Sequence, residues 1–111
     1  MELKNIRYSA LMDCYEGLLT DKRRRFMDLH YNCDLSLNEI AEQESISRQG
    51  VHDAIRRGEA QLDELERQLG LRRRGEELRR VTDALERALS GAQISDAARQ
   101  TLAKLKAFTG E

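Results

Sequence analysis

Apolar residues recur along this chain at intervals of three and four, the spacing that lines one face of a helix. The first stripe is Ile6, Ala10, Leu11, Cys14, Tyr15 and Leu18, and Gly17 marks where it should stop. Thr20 stands where an N-cap belongs, its hydroxyl able to accept from the amides of the next turn. It introduces a second helix that turns Phe26, Leu29 and His30 or Tyr31 toward a core. The most specific start signal is Leu35-Ser36-Leu37-Asn38-Glu39-Ile40. Ser36 and Glu39 have the capping-box spacing, and Leu35 and Ile40 the staple spacing that fixes how the chain enters a helix. Ser45-Ile46-Ser47 interrupts this third helix, and Ser47 can cap another that begins at Arg48. Two helices meeting across a turn this short have the geometry of a helix-turn-helix.

The fourth helix is long. Val51, Ile55, Gly58, Leu62, Leu65 and Leu69 form a heptad-like seam that runs to Gly70, a C-cap candidate. Its first half should serve the domain and its second half a partner helix. Arg72-Arg73-Arg74-Gly75 reads as a linker. Beyond it, Leu78, Val81, Leu85 and Ala88 or Leu89 predict an amphipathic helix ending near Gly91, and Ala98, Leu102 and Leu105 another behind Ser95. The expectation is an all-α protein of five or six helices without a strand. Residues 1–70 form a helix-turn-helix domain with a long recognition helix, and residues 71–111 a charged helical tail for dimerisation or partner binding.

Composition narrows the function. A chain of 111 residues with 35% charged side chains and no proline suits helices with wide wet faces. Chains this short bury roughly two-thirds of their unfolded surface and spend it on one core. There is no GxxxxGK[ST] phosphate loop and no nucleophile, base and orienting acid that spacing brings together, so no enzyme is expected. Cys14 and Cys33 lie in helical segments without a CxxC spacing and read as inert, partly buried thiols. With only His30 and His52 to join them, neither metal nor cofactor is expected. No apolar run approaches the ~20 residues of a membrane helix, and Met1 to Tyr8 lacks a signal-peptide core, which points to the cytoplasm and away from a membrane. The formal net charge of −1 hides an asymmetry: residues 1–70 hold 10 Lys and Arg against 14 Asp and Glu, whereas residues 71–111 hold 9 against 6. An overall basic domain, the usual footprint of nucleic-acid binding, is absent, so local patches must carry any such role.

Two patches qualify. In a helix-turn-helix, Ala41 supplies the small residue needed where the helices cross, and Ile40, Ile46, Val51 and Ile55 the contacts around the turn. Arg48, Gln49, His52, Asp53 and Arg56 are left pointing outward, with the donors and acceptors that read base edges and phosphates. A trihelical scaffold with a merely soluble face also fits, given the acidic neighbours Glu39, Glu42 and Glu44. The second patch is the run Lys22, Arg23, Arg24 and Arg25, whose cations oppose the dipole at a helix start. A solvated face and a phosphate-facing patch both account for it.

Residues 10–71, with LLTDK, DLSLNEIAE and SRQGVHD in that order and spacing, resemble the YlxM family of small bacterial proteins associated with the signal recognition particle pathway. The resemblance implies a helix-turn-helix similar to the promoter-reading fourth region of primary sigma factors. On it Ser47, Arg48, Gln49, His52 and Arg56 would take the cap and outward contact roles. It also implies genes beside those of the particle's GTPase and receptor, and a regulatory part exerted through the particle's RNA or GTPase. Two departures predict a distorted turn: Glu44 stands where the family has an apolar residue, and Ser45 where Gly or Asn is usual. The function expected is that of a regulatory nucleic-acid-binding accessory of this pathway. The alternatives are a sequence-specific DNA-binding transcription regulator, which the acidic balance of residues 1–70 opposes, and a protein-protein adaptor working through its long helices. A homodimer built through the C-terminal half is expected, with a tail folded back on the long helix as the alternative.

Overall fold

A computed structural model describes residues 3–109 and contains six α-helices and, among the described residues, no strand. They are α1 (Leu3–Tyr15), α2 (Asp21–Tyr31), α3 (Leu37–Glu44), α4 (Arg48–Leu69), α5 (Leu71–Leu89) and α6 (Asp96–Phe108), with a single 3-10 turn, Glu16–Leu18, after α1. The start signals work as their chemistry requires. Thr20 accepts from the Arg23 amide at 3.2 Å, Ser95 from Ala98 at 3.1 Å, and Ser36 and Glu39 close both halves of the capping box. Gly70 ends α4 in the left-handed conformation at φ 62°, its amide bonded to the Glu66 carbonyl. The contacts divide the chain into two units, residues 1–70 and 71–111.

In the first unit α1, α2 and α3 all pack on α4. Leu11, Met12, Tyr15, Phe26, Met27, Tyr31, Ile40, Val51, Ile55 and Leu62 fill the core. At its centre the fully buried Met27 lies against Gly58: a Cβ built on that glycine would stand 2.3 Å from the Met27 sulfur. Leucine or valine there would hold the two helices apart, so the glycine sets how closely α2 meets α4.

Three sequence expectations are corrected here. The period of the first stripe is right but its phase is turned: Tyr8, Leu11, Met12, Tyr15 and Leu19 are buried, while Ile6, Cys14 and Leu18 face out. The tyrosines explain the rotation, because each buries its ring and places its hydroxyl on a carboxylate of α4. Tyr8 donates to Asp63 at 2.7 Å and Tyr15 to Glu66 at 2.8 Å. Burial and that bond to Asp63 push the Tyr8 phenol up to about 12. Arg7 donates to the other Asp63 oxygen at 2.8 Å, and Lys4 lies 3.6 Å from Glu59. The second half of α4, expected to serve a partner, is thus packed by α1 of the same chain. Cys14 and Cys33 are both exposed, not partly buried.

The second unit is a hairpin of α5 and α6. Arg72, Arg73, Arg74 and Gly75, expected as a linker, lie within α5, which starts directly after Gly70. Lys106 donates to Glu86 at 2.6 Å and Arg79 to the Thr109 carbonyl at 2.8 Å. Among its described residues no apolar side chain is buried; Leu78, Val81 and Leu85 are 40%, 60% and 42% exposed. No helix of the described residues is long and apolar enough to cross a membrane.

The Met27–Gly58 approach makes a direct prediction. Gly58→Val should destabilise the first unit by about 1–3 kcal/mol through overpacking. Adding Met27→Ala should recover part of that loss, because the two positions share one space. Chemical denaturation of the four members of this cycle measures it; additive effects would place the glycine outside the contact.

Candidate nucleic-acid interface

The turn between α3 and α4 is regular. Ser45 takes the left-handed conformation at φ 56° and ψ 42°, which serine adopts at some cost, and its amide closes onto the Ala41 and Glu42 carbonyls. The Ile46 amide bonds the Ala41 carbonyl at 3.1 Å. Glu44 replaces an apolar contact with an ion pair: its carboxylate accepts from Arg25 of α2, and its side chain is only 15% exposed. The guanidinium holds this carboxyl below its usual range. The distortion expected from Glu44 and Ser45 therefore does not occur, because Arg25 satisfies the first and the backbone bonds hold the second.

Ser47 caps α4, accepting from the Gly50 amide at 3.0 Å, and so fixes where its first turn begins. Arg48 and Gln49 are exposed on that turn, and Arg56 is exposed two turns on. Gln49 is oriented from within the helix: its amide donates to Asp53 at 2.9 Å. His52 is half-exposed, with Nδ1 3.8 Å from the nearer Asp53 oxygen, outside hydrogen-bond reach. Arg56 borders a groove of about 380 Å³ with Lys4, Tyr8, Glu59 and Asp63, so its surroundings are acidic as well as basic. Glu59 is nearly buried there, and burial pushes its carboxyl up against the opposing pull of Lys4. These side chains share one wall of α4 and present both donors and acceptors, which suits base edges and phosphates together.

The run on α2 separates into distinct roles. Lys22 is exposed, its ammonium 5.9 Å from the Phe26 ring centroid. Arg23 is half-buried and donates to Gln61 of α4 at 2.8 Å. Arg24 donates to Asp21 one turn back at 2.8 Å, a solvent-open pair that contributes little to stability. Arg25 is committed to Glu44. Sequence reasoning missed Arg57, which stands with Lys22 and Arg23 around a second groove. The signal was available, because Gly50, Ala54, Arg57 and Gln61 repeat at four, three and four along α4 and so share one side. Among the described residues no group of three His, Cys, Asp or Glu side chains could hold a metal ion.

A short helix meeting a long, capped one across Ser45–Ser47, with the long helix's first turns exposed, defines a helix-turn-helix protein. The chain matches over residues 2–103 the family model UPF0122, described as "Putative helix-turn-helix protein, YlxM / p13 like", and it belongs to that family. It is similar to a UPF0122 protein of Geobacillus kaustophilus, 46% identical over 94 residues that cover 85% of this chain and 86% of the relative. A UPF0122 protein of Shouchella clausii is 39% identical over 103 residues, 93% of this chain and 94% of the relative. One from Bacillus mycoides is 46% identical over 87 residues, 78% and 79% of the two chains.

The left-handed serine gives a test of the turn. Ser45→Gly should stabilise the first unit by up to about 1 kcal/mol, the relief of a side chain in that conformation less the added freedom of the unfolded glycine. Thermal unfolding measures it, and a loss of stability would show that Ser45 does not hold this conformation.

Proposed function

We propose that the protein is a regulatory nucleic-acid-binding accessory of the signal recognition particle pathway, acting in the cytoplasm. The binding face comprises Arg48, Gln49, His52 and Arg56 of α4, fixed by the Ser47 cap, with Lys22, Arg23 and Arg24 beside it on α2. The observation that supports binding is the rigid presentation of α4: a capped, buried-backed helix holds outward side chains in fixed positions, as readout of a groove or a structured RNA requires. The pathway assignment rests on the resemblance of residues 10–71 to the YlxM family, and its partners would be the particle's RNA, its GTPase, or both. Sequence-specific regulation of transcription is the second reading, favoured by the likeness to a sigma-factor turn that the resemblance implies and opposed by the net acidity of residues 1–70. Binding to duplex DNA, to the particle's RNA and to its GTPase, measured side by side, separates the two readings from a purely protein-binding adaptor.

If this face touches nucleic acid, Arg48→Ala and Arg56→Ala should each weaken binding and lower its salt dependence by about one counterion per lost phosphate contact. Thermal unfolding should not change, since both side chains are exposed. Affinity and salt slope equal to the parent's would move the site off this face.

We also propose that two copies pair through residues 71–111. The support is the hairpin's uncovered apolar stripe of Leu78, Val81 and Leu85, which water disfavours and a symmetric partner would cover. Sedimentation at micromolar concentration should give a dimer mass for the parent and a monomer mass for a Val81→Glu, Leu85→Glu double variant. A monomeric parent overturns this pairing.

A further inference from the structure

Thr20 at the cap of α2, Lys22 and Arg23 of its first turn, and Gly50, Asp53, Ala54 and Arg57 of α4 line one groove of about 400 Å³. Three cations from two helices therefore face a common space that holds one carboxylate. We propose that this groove seats a backbone phosphate of double-stranded nucleic acid, with Arg57 and Lys22 as its principal contacts and Arg23 as a third. The proposal rests on the nucleic-acid reading above and adds to it a seat on the side of α4 that faces α2.

Four features support a phosphate. The groove adjoins the first turn of α2, where the helix dipole favours negative charge, and runs along α4 from Gly50 in its first turn to Arg57 in its third. The cations of Lys22 and Arg23 oppose that dipole and cost local stability, a conflict that an anion between them relieves. Arg23 is held in place rather than mobile: Gln61 accepts from one of its nitrogens at 2.8 Å and donates to the Leu18 carbonyl at 2.9 Å. A guanidinium carries five N–H donors, so this tether leaves donors for a ligand. The floor is formed by Gly50 and Ala54, so no long side chain of α4 stands between Arg57 and the cations of α2.

Asp53 is the opposing charge. It accepts the Gln49 amide, so the carboxylate is directed along the helix toward the outward face rather than standing as an isolated charge in the groove. Asp53 therefore borders both the groove and the outward face. A strand seated on Lys22, Arg23 and Arg57 would run along the edge of the wall that carries Gln49 and Arg48. Phosphate contacts of this kind fix register and orientation and carry no sequence information themselves.

The test uses the full chain with a duplex DNA and a duplex RNA of the same sequence, its affinity followed by fluorescence anisotropy across a salt series. Lys22→Gln and Arg57→Gln should each lower the logarithmic salt slope for B-DNA by about 0.9 and weaken binding about eightfold near 0.1 M salt. The loss should be equal for unrelated sequences, and both variants should melt like the parent because both side chains are exposed. Arg67→Gln removes the same charge at the far end of α4, where Arg67 pairs with Glu64, and should leave the slope unchanged. The expected loss on either duplex supports the groove, and comparison of the two duplexes identifies which backbone it takes. Binding in which Lys22→Gln and Arg57→Gln behave like Arg67→Gln overturns the groove and removes α2 from the binding face, while the reading of Arg48, Gln49, His52 and Arg56 on α4 stands. A parent chain that binds neither duplex overturns the groove, and one that also fails to bind the particle's RNA overturns both.

Discussion

The first unit depends on one close approach, the side chain of Met27 lying on the bare backbone of Gly58. Protein interiors pack as densely as organic crystals, so an added methyl group at such a point propagates into every neighbour. Gly58 lets α2 sit deep against α4, and that depth brings Arg23 within reach of Gln61. The basic run on α2 is therefore positioned by a glycine on another helix. Its members fall into different environments because successive residues on a helix face different directions.

What the sequence made legible follows from how local each signal is. The capping box of Ser36 and Glu39 and the caps at Thr20, Ser47 and Ser95 depend on residues within one turn of each other, and they appear where expected. The seam of α4 was readable from Val51 to Leu62 because a buried face repeats regularly. The phase of α1 was not, since it is set by Asp63 and Glu66 roughly fifty positions away, which draw in the tyrosine hydroxyls. A hydrophobicity pattern that counts tyrosine as simply apolar cannot anticipate a preference for the ring-plus-hydroxyl face over the one with Ile6 and Leu18. The same reason hid the pairing of Arg25 with Glu44, which makes an ordinary turn from two unpromising residues.

The candidate interface was partly visible in the same sense. Arg48, Gln49, His52 and Arg56 follow from where α4 starts, and Ser47 fixes that start. Arg57 and Gln61 belong to a different side of the helix, whose importance appears only once α2 is laid beside it. Acidic groups are mixed into both grooves, at Asp53, Glu59 and Asp63. A surface so mixed in sign suits recognition by placement of individual groups more than by bulk attraction, in keeping with a unit whose overall balance is acidic.

The placement of the aromatic residues has an optical consequence. The chain has no tryptophan and three tyrosines, Tyr8, Tyr15 and Tyr31, all buried in the first unit, while the described part of the second holds only Phe108 among aromatics. Tyrosine emission and the tyrosine bands of the near-ultraviolet dichroism therefore report on the helix-turn-helix unit alone, whereas far-ultraviolet dichroism sums the helices of both units. The two units carry their own separate signals, and their melting can be told apart in the unlabelled protein without cutting the chain.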